Sequence, residues 1–146
     1  MTGDLGPEGP TSAEEAIRST LARYCLFCDD GRFDEWGQLF TTDTRFHVMG
    51  STHEGRAAAQ LFIERGQPPE RRGKHLVVNP LIVVGPGALT ARAWSDYVFL
   101  DRAGLVTNSG RYHDELIRGN DGVWRFSLRE IVFQGGEPEL TSSPPG

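Results

Sequence analysis

The C-terminal half of the chain most constrains its fold, because it holds four long β-rich runs. They cover residues 75–84, 89–100, 105–118 and 123–133, and the turns GPG, DRAG and GNDG separate them. Long β-rich runs joined by Gly and Asp turns are typical of an antiparallel meander. We therefore predict that this half forms one antiparallel sheet.

The N-terminal half has a helical pattern. Thr11 or Ser12 can cap a helix, and an apolar stripe with the spacing i, i+4, i+7 and i+11 follows at Ile17, Leu21, Tyr24 and Cys28. Gly31 ends this helix.

Shorter elements follow the first helix. Residues 33–40 predict a second helix, 44–50 a short strand and 55–66 a third helix between glycines. Three helices followed by a meander indicate an α+β fold, with the helices packed on one face of a curved sheet. Both strand faces carry apolar residues, so the outer face is expected to meet a second subunit in a homodimer or homotrimer.

Length and composition limit the domain count and the partners. The 146 residues fit one domain, predicted at 12–134 between a disordered tail at 1–11 and a flexible tail at 135–146. The net charge of −5 argues against nucleic acid or an anionic membrane as a partner. No apolar run approaches the roughly 18 residues of a membrane span. No signal peptide is evident, and with two cysteines this favours a cytoplasmic location.

Cys25 and Cys28 form a C-x-x-C pair. A structural zinc site needs four ligands, and a redox pair usually lies at a helix N-terminus. This pair has no second pair to complete a site and lies near the end of a predicted helix. We predict two small buried hydrophobic residues that bind no metal and form no disulfide.

Four residues are candidates for acid–base chemistry: Tyr24, Asp29, His75 and Arg129. Each also has an ordinary explanation, as a core tyrosine, a solvated helix end, a strand start or a surface ion pair. Their order along the chain is more specific than any one of them, in the segments ARYCLFCDDGRFDEWGQLF, KHLVVNP and GRYHDELIRGNDGVWRFSLREI.

In that order the chain resembles the SnoaL-like branch of the NTF2-like superfamily, from about residue 13 to 133. The resemblance implies a cone-shaped α+β barrel, whose strongly curved, mostly antiparallel sheet wraps round three N-terminal helices and leaves a deep pocket. Scytalone dehydratase, bile-acid 7α-dehydratases and hexachlorocyclohexane dehydrochlorinase use an Asp–His pair there.

The pair falls on Asp29 and His75, the bile-acid dehydratase tyrosine on Tyr24 and the dehydrochlorinase arginine on Arg129. Asp29 and His75 are expected within hydrogen-bonding reach, with Tyr24 and Arg129 open to the same cavity. An ideal helix places Tyr24 and Asp29 about 140° apart, so Asp30 competes for the aspartate role.

The resemblance implies a cofactor-independent lyase or isomerase acting on an apolar small molecule, with dehydration leading. One alternative is a polyketide cyclase or a ketosteroid-isomerase-like enzyme. Another is a non-catalytic binding and dimerisation module, like the small subunit of ring-hydroxylating dioxygenases.

The segment GRYHDEL contains two more polar candidates. Because strand neighbours point to opposite faces, Tyr112 and Asp114 should share one face and Arg111 and His113 the other. We predict that neither His113 nor Asp114 is catalytic.

Overall fold

The computed structural model describes residues 12–135 and 140–146. Among these residues, three α-helices lie in the N-terminal half, and two single-turn 3₁₀ helices follow. In chain order the α-helices are α1 (Ala13–Asp29), α2 (Phe33–Gly37) and α3 (Arg56–Gly66), and the 3₁₀ helices are Pro69–Arg71 and Pro86–Ala88. Among the described residues, no helix has the length and apolar content of a membrane span.

In the described part of the chain, six strands form a single sheet in the order β2-β1-β6-β5-β4-β3. Only the β1–β6 pair is parallel. The strand bounds are β1 Phe40–Val48, β2 Ser51–Glu54, β3 Lys74–Val84, β4 Thr90–Leu100, β5 Val106–Arg118 and β6 Trp124–Phe133. Helix α1 packs on β3 and β6, and α3 packs on β1 and β2. The predicted α+β fold with a mostly antiparallel sheet is confirmed.

Helix α1 follows the sequence pattern closely. The Ser12 hydroxyl accepts a hydrogen bond from the Glu15 N–H at 3.1 Å, so Ser12 is the N-cap. The predicted apolar stripe is buried. The chain leaves the helix through Gly31, whose φ of 71° is a left-handed conformation that suits glycine.

The segment after α1 differs from the prediction. Helix α2 ends at Gly37 and β1 begins at Phe40, four residues before the predicted strand. The reason is tertiary, because Phe40 pairs with Phe126 and the Phe126 N–H donates to the Leu39 carbonyl at 2.8 Å. Strand β2 was not predicted, since its sequence STHE is short and polar.

The outer face of the sheet is partly covered by the end of the chain. Trp94 Nε1 donates to the Ser142 carbonyl at 3.1 Å, and the Thr141 hydroxyl donates to Glu130 Oε1 at 2.7 Å. Residues 140–146 were predicted as part of a flexible tail, and these contacts place part of that segment against β4 and β6. The tail predicted at 1–11, and 136–139 of the other tail, lie outside the described residues.

Candidate active site

The last residue of α1 meets the start of β3. Oδ1 of Asp29 lies 2.6 Å from Nδ1 of His75, and its Oδ2 accepts the His75 main-chain N–H at 2.9 Å. One carboxylate therefore holds both the ring and the backbone of the same residue. The Asp29 and His75 side chains are only 5% and 11% exposed, whereas Asp30 is exposed at the helix cap. Asp29, not Asp30, is the partner of His75.

A cavity of about 720 Å³ opens beside this pair. Its walls are mostly apolar, and they include four charged side chains, those of Glu70, Arg71, Asp101 and Arg102. The lining residues used below are Tyr24, His75, Tyr97, Phe99, Asn108 and Tyr112. The Nε2 atom of His75 has no hydrogen-bond partner among the described residues. A volume of this size is typical of a site for a small organic ligand.

The helical angle between Tyr24 and Asp29 does not prevent a common site. Tyr24 lines the cavity itself, whereas Asp29 lies behind His75 and does not line it. The Tyr24 and His75 rings are 6.5 Å apart between centroids, edge to face. Asp29 therefore reaches the cavity only through the imidazole.

The position of Arg129 differs from the expectation. Its guanidinium makes two hydrogen bonds to the Asp114 carboxylate, at 2.7 and 2.8 Å, and both side chains are fully buried. It does not line the cavity, so the expectation that Arg129 opens onto it is wrong. The reason is register, because Asp114 of β5 lies directly opposite Arg129 of β6.

Arg129 is also enclosed by three aromatic rings. Its Cζ lies 4.1 Å from the ring centroid of Tyr24, 3.9 Å from that of Tyr112 and 4.4 Å from that of Phe126. Burial alone lowers the pKa of Arg129, but the Asp114 carboxylate more than offsets this and raises it. A permanent cation therefore lies directly behind Tyr24.

Tyr24 remains a phenol at neutral pH. Burial raises its pKa above the ordinary value of 10.0, and the Arg129 charge opposes that shift only in part. A neutral phenol is a hydrogen-bond donor. Tyr24 can therefore donate to a ligand oxygen in the cavity.

Both cysteines are free and buried. Burial raises the pKa of the Cys25 thiol to about 11, and it also raises the pKa of Cys28. Potential ligand atoms of Cys28, Asp29 and His75 lie within 4.8 Å of one another. Three such groups are fewer than a structural zinc site requires, and the Asp29 oxygens already accept from His75. The absence of a metal stays a prediction.

The side chains of β5 alternate between the two faces of the sheet as predicted. Tyr112 lines the cavity and Asp114 reaches Arg129, while His113 contacts Glu130 and Trp94 on the other side. Sequence reasoning did not identify Tyr97, Asn108 or Tyr112 as cavity residues. The signal was present, because these residues lie at alternate positions of two neighbouring strands.

Gly110 shapes this part of the wall. A Cβ atom on Gly110 would lie 2.0 Å from the Val132 carbonyl oxygen and 2.9 Å from a carbon of the Tyr97 ring. The missing side chain lets the Tyr97 ring lie against this strand, stacked on Tyr112 with 4.5 Å between centroids and 7° between planes.

Comparison with known families gives a match to the SnoaL-like domain over residues 10–130. The chain belongs to the SnoaL-like family. The resemblance stated from the sequence is thereby confirmed. Comparison with curated protein sequences gave no significant match.

Solved structures of similar fold agree with this placement. Rv3472 of Mycobacterium tuberculosis, described as of unknown function, is 29% identical with a TM-score of 0.76, over 83% of this chain and 76% of that one. An NTF2-like protein with a cystatin-like fold from Novosphingobium aromaticivorans is 25% identical, with a TM-score of 0.75 and coverage of 86% and 84%. A scytalone dehydratase-like protein from the same organism is 22% identical, with a TM-score of 0.72 and coverage of 90% and 91%.

Proposed function

We propose that this protein is a cofactor-independent lyase or isomerase of an apolar small molecule, with dehydration as the leading reaction. The observation that carries the proposal is the Asp29–His75 contact of 2.6 Å, with the imidazole at the wall of a cavity of about 720 Å³. A carboxylate that holds one ring nitrogen fixes the tautomer and leaves the other nitrogen as a base. His75 Nε2 is that base.

The first step removes a proton from a carbon next to a carbonyl. Nε2 of His75 takes the proton, Asp29 stabilises the imidazolium, and the C–H electron pair moves into an enolate. Tyr24 lines the same cavity, and its hydroxyl donates a hydrogen bond to the enolate oxygen. Each acid–base partner of this kind typically contributes about 10²–10⁴-fold in rate.

The second step expels a hydroxyl group from the β-carbon. The enolate re-forms the carbonyl, a carbon–carbon double bond forms, and the C–O bond to the hydroxyl breaks. The imidazolium of His75 returns its proton to the departing oxygen, which leaves as water. The base is neutral again after one turnover, so no metal or redox partner is required.

Arg129 acts on this reaction through Tyr24. Its guanidinium lies 4.1 Å from the Tyr24 ring centroid and is fully buried. A fixed positive charge behind the phenol favours negative charge developing at the hydroxyl end. Arg129 is therefore a positioning residue, and Asp114 keeps it in place.

The same first step also suits an isomerase or a polyketide cyclase. Tyr24 suits this second candidate equally well, because a neutral phenol at an apolar cavity is a suitable donor to an enolate. In an isomerase the proton returns to another carbon, and in a cyclase the enolate attacks a second carbonyl. All three reactions require His75 as the base.

The test separates proton removal from elimination. Proton removal is measured as deuterium uptake at C2 of 1-tetralone in D₂O, by mass spectrometry. Dehydration is measured as conversion of 3-hydroxy-1-tetralone into fluorescent 1-naphthol. We expect both with the native protein, and loss of both in His75→Ala and Asp29→Asn. His47→Ala is the matched control, because His47 lies on β1 outside the cavity lining.

The outcomes distinguish the candidates. Exchange without dehydration favours the isomerase or cyclase. Absence of both reactions in a folded protein that still binds 1-tetralone favours the non-catalytic binding module. Equal rates in the native protein and in His75→Ala would contradict the Asp–His mechanism.

A further inference from the structure

Three cavity residues form one row across three neighbouring strands. His75 of β3 pairs with Phe99 of β4, and Phe99 pairs with Asn108 of β5. All three line the cavity, and the His75 and Phe99 rings are 4.7 Å apart between centroids. Because adjacent strands are about 4.8 Å apart, the backbones at His75 and Asn108 are separated by about 10 Å. Asn108 therefore stands at the far side of the Phe99 ring from the base.

The Asn108 amide is held in one orientation. The Tyr97 hydroxyl donates to Asn108 Oδ1 at 3.1 Å. The Tyr97 ring is fixed by its stack on Tyr112 and by its close approach to Gly110. Because Oδ1 accepts this bond, the orientation of the amide is set, and its Nδ2 group has no hydrogen-bond partner among residues 12–135 and 140–146.

We propose that Asn108 is a specificity-determining residue of this cavity, whose Nδ2–H₂ group donates to a second oxygen of the ligand. The placement relative to the reacting carbon rests on the proposed function, in which His75 is the base. Phe99 lies between the two polar positions and supports the apolar part of the ligand. The Tyr97 hydroxyl has a positioning role, because it holds the Asn108 amide in place.

Amide donors in a mostly apolar wall discriminate between ligands. A ligand with one acceptor oxygen satisfies either Tyr24 or Asn108, and the other group then loses its water without a partner. A ligand with acceptors on opposite rings satisfies both. One neutral hydrogen bond of this kind corresponds to about tenfold in affinity at most.

The experiment uses two ketones of nearly equal shape. Decalin-1,5-dione carries a carbonyl on each ring, and 1-decalone carries one. Their dissociation constants are measured by calorimetry for the native protein and for Asn108→Asp, Asn108→Leu and Tyr97→Phe. Asn108→Asp keeps the acceptor for Tyr97 and removes both donors. Asn79→Asp is the control, because Asn79 is exposed on β3 and outside the cavity lining.

We expect the native protein and Asn79→Asp to bind the dione about fivefold to tenfold more tightly than the monoketone. Asn108→Asp and Asn108→Leu should remove this preference while the affinity for 1-decalone changes little. Tyr97→Phe should reduce the preference in part. If Asn108→Leu fails to fold, the nearly isosteric Asn108→Asp decides the question alone.

An unchanged dione preference in the Asn108 variants would overturn the proposal. A native protein that shows no dione preference, or that binds neither ketone, would also overturn it. The result is independent of catalysis, because His75→Ala should retain the dione preference. Absence of deuterium exchange in the native protein, with its dione preference intact, would reject the proposed reaction and leave the role of Asn108 standing. Deuterium exchange by the native protein without the dione preference would reject the role of Asn108 and leave the proposed reaction standing.

Discussion

Two carboxylate–histidine pairs lie on opposite faces of the sheet, and only one of them borders a cavity. The Asp29–His75 contact is 2.6 Å and the Glu130–His113 contact is 2.8 Å. His113 is only 1% exposed, its Nε2 is buried without a hydrogen-bond partner among the described residues, and its ring lies 5.1 Å from the Trp94 ring. Both pairs join a carboxylate oxygen to Nδ1 of the imidazole. They differ in the surroundings of the ring, because Nε2 of His113 is buried whereas His75 lines the cavity.

The comparison shows why a hydrogen-bonded pair alone does not indicate catalysis. Asp29 ends α1 and His75 lies at the start of β3. The imidazole therefore lies between the helix and the sheet, at the wall of the cavity. His113 and Glu130 lie opposite each other on adjacent strands, with Thr141 bound to the carboxylate. We therefore expect the outer pair to contribute to packing and stability.

The largest expected effect is on the rate of proton removal. Asp29→Asn should lower the rate of deuterium exchange in 1-tetralone by about 10²-fold or more, because the imidazole loses its orienting carboxylate. Glu130→Gln should leave that rate within about twofold, since Glu130 does not line the cavity. Equal rate losses in the two folded variants would remove the distinction between the pairs.

The next effect concerns the buried ion pair between Asp114 and Arg129. Asp114→Ala leaves the fully buried Arg129 charge without its partner, and we expect a loss of about 3–5 kcal/mol in the free energy of unfolding. Urea denaturation measures it. The control is the double variant Asp114→Leu with Arg129→Met, which should recover much of the loss because neither charge remains. No recovery would show that the pair does more than satisfy its own charges.

The outer pair should affect stability as a function of pH. Burial alone raises the pKa of Glu130, but hydrogen bonds from Thr141 and His113 outweigh it and lower the pKa below the ordinary 4.5. A lowered folded-state pKa stabilises the protein above pH 4.5, and this contribution is lost as the pH falls through the folded-state value. The difference in unfolding free energy between native protein and Glu130→Gln should therefore shrink below that pH. A constant difference in denaturation series across this range would contradict the direction of the shift.

The smallest effect concerns Cys28, a core residue next to the Asp29–His75 pair. Cys28 is fully buried beside Asp29, and Cys28→Ala removes one heavy atom from a packed site. We expect a loss of about 1 kcal/mol in unfolding free energy and an unchanged exchange rate. Thermal denaturation and the deuterium assay measure the two. A large rate loss without a stability change would give the thiol a role in the site.

The sequence predicted the elements whose signals are local. The apolar stripe of α1, its end at Gly31 and the long strands of the second half are present in the structure. The Asp29–His75 contact was predicted from a family resemblance, because helical geometry alone separated Asp29 from Tyr24. Strand β2 had no hairpin signal in the sequence. The turn between β1 and β2 uses Met49 at a φ of 55°, a position where Asn would be expected.

The remaining differences between prediction and structure depend on contacts between distant parts of the chain. Arg129 is turned away from the cavity by Asp114, fifteen residues earlier on the paired strand. The alternation in GRYHDEL predicted which residues share a face, but not which residues of β6 lie opposite them. His113 and Glu130 meet for the same reason of register.

Gly110 has a practical consequence for redesign of the pocket. Any side chain there would meet the Val132 carbonyl at 2.0 Å, and the backbone would have to move with it. Mutant libraries intended to change ligand size should therefore keep position 110 as glycine and vary Phe99. A ring at the end of a side chain can be exchanged for a smaller group, whereas the spacing of two strands is shared by the whole sheet.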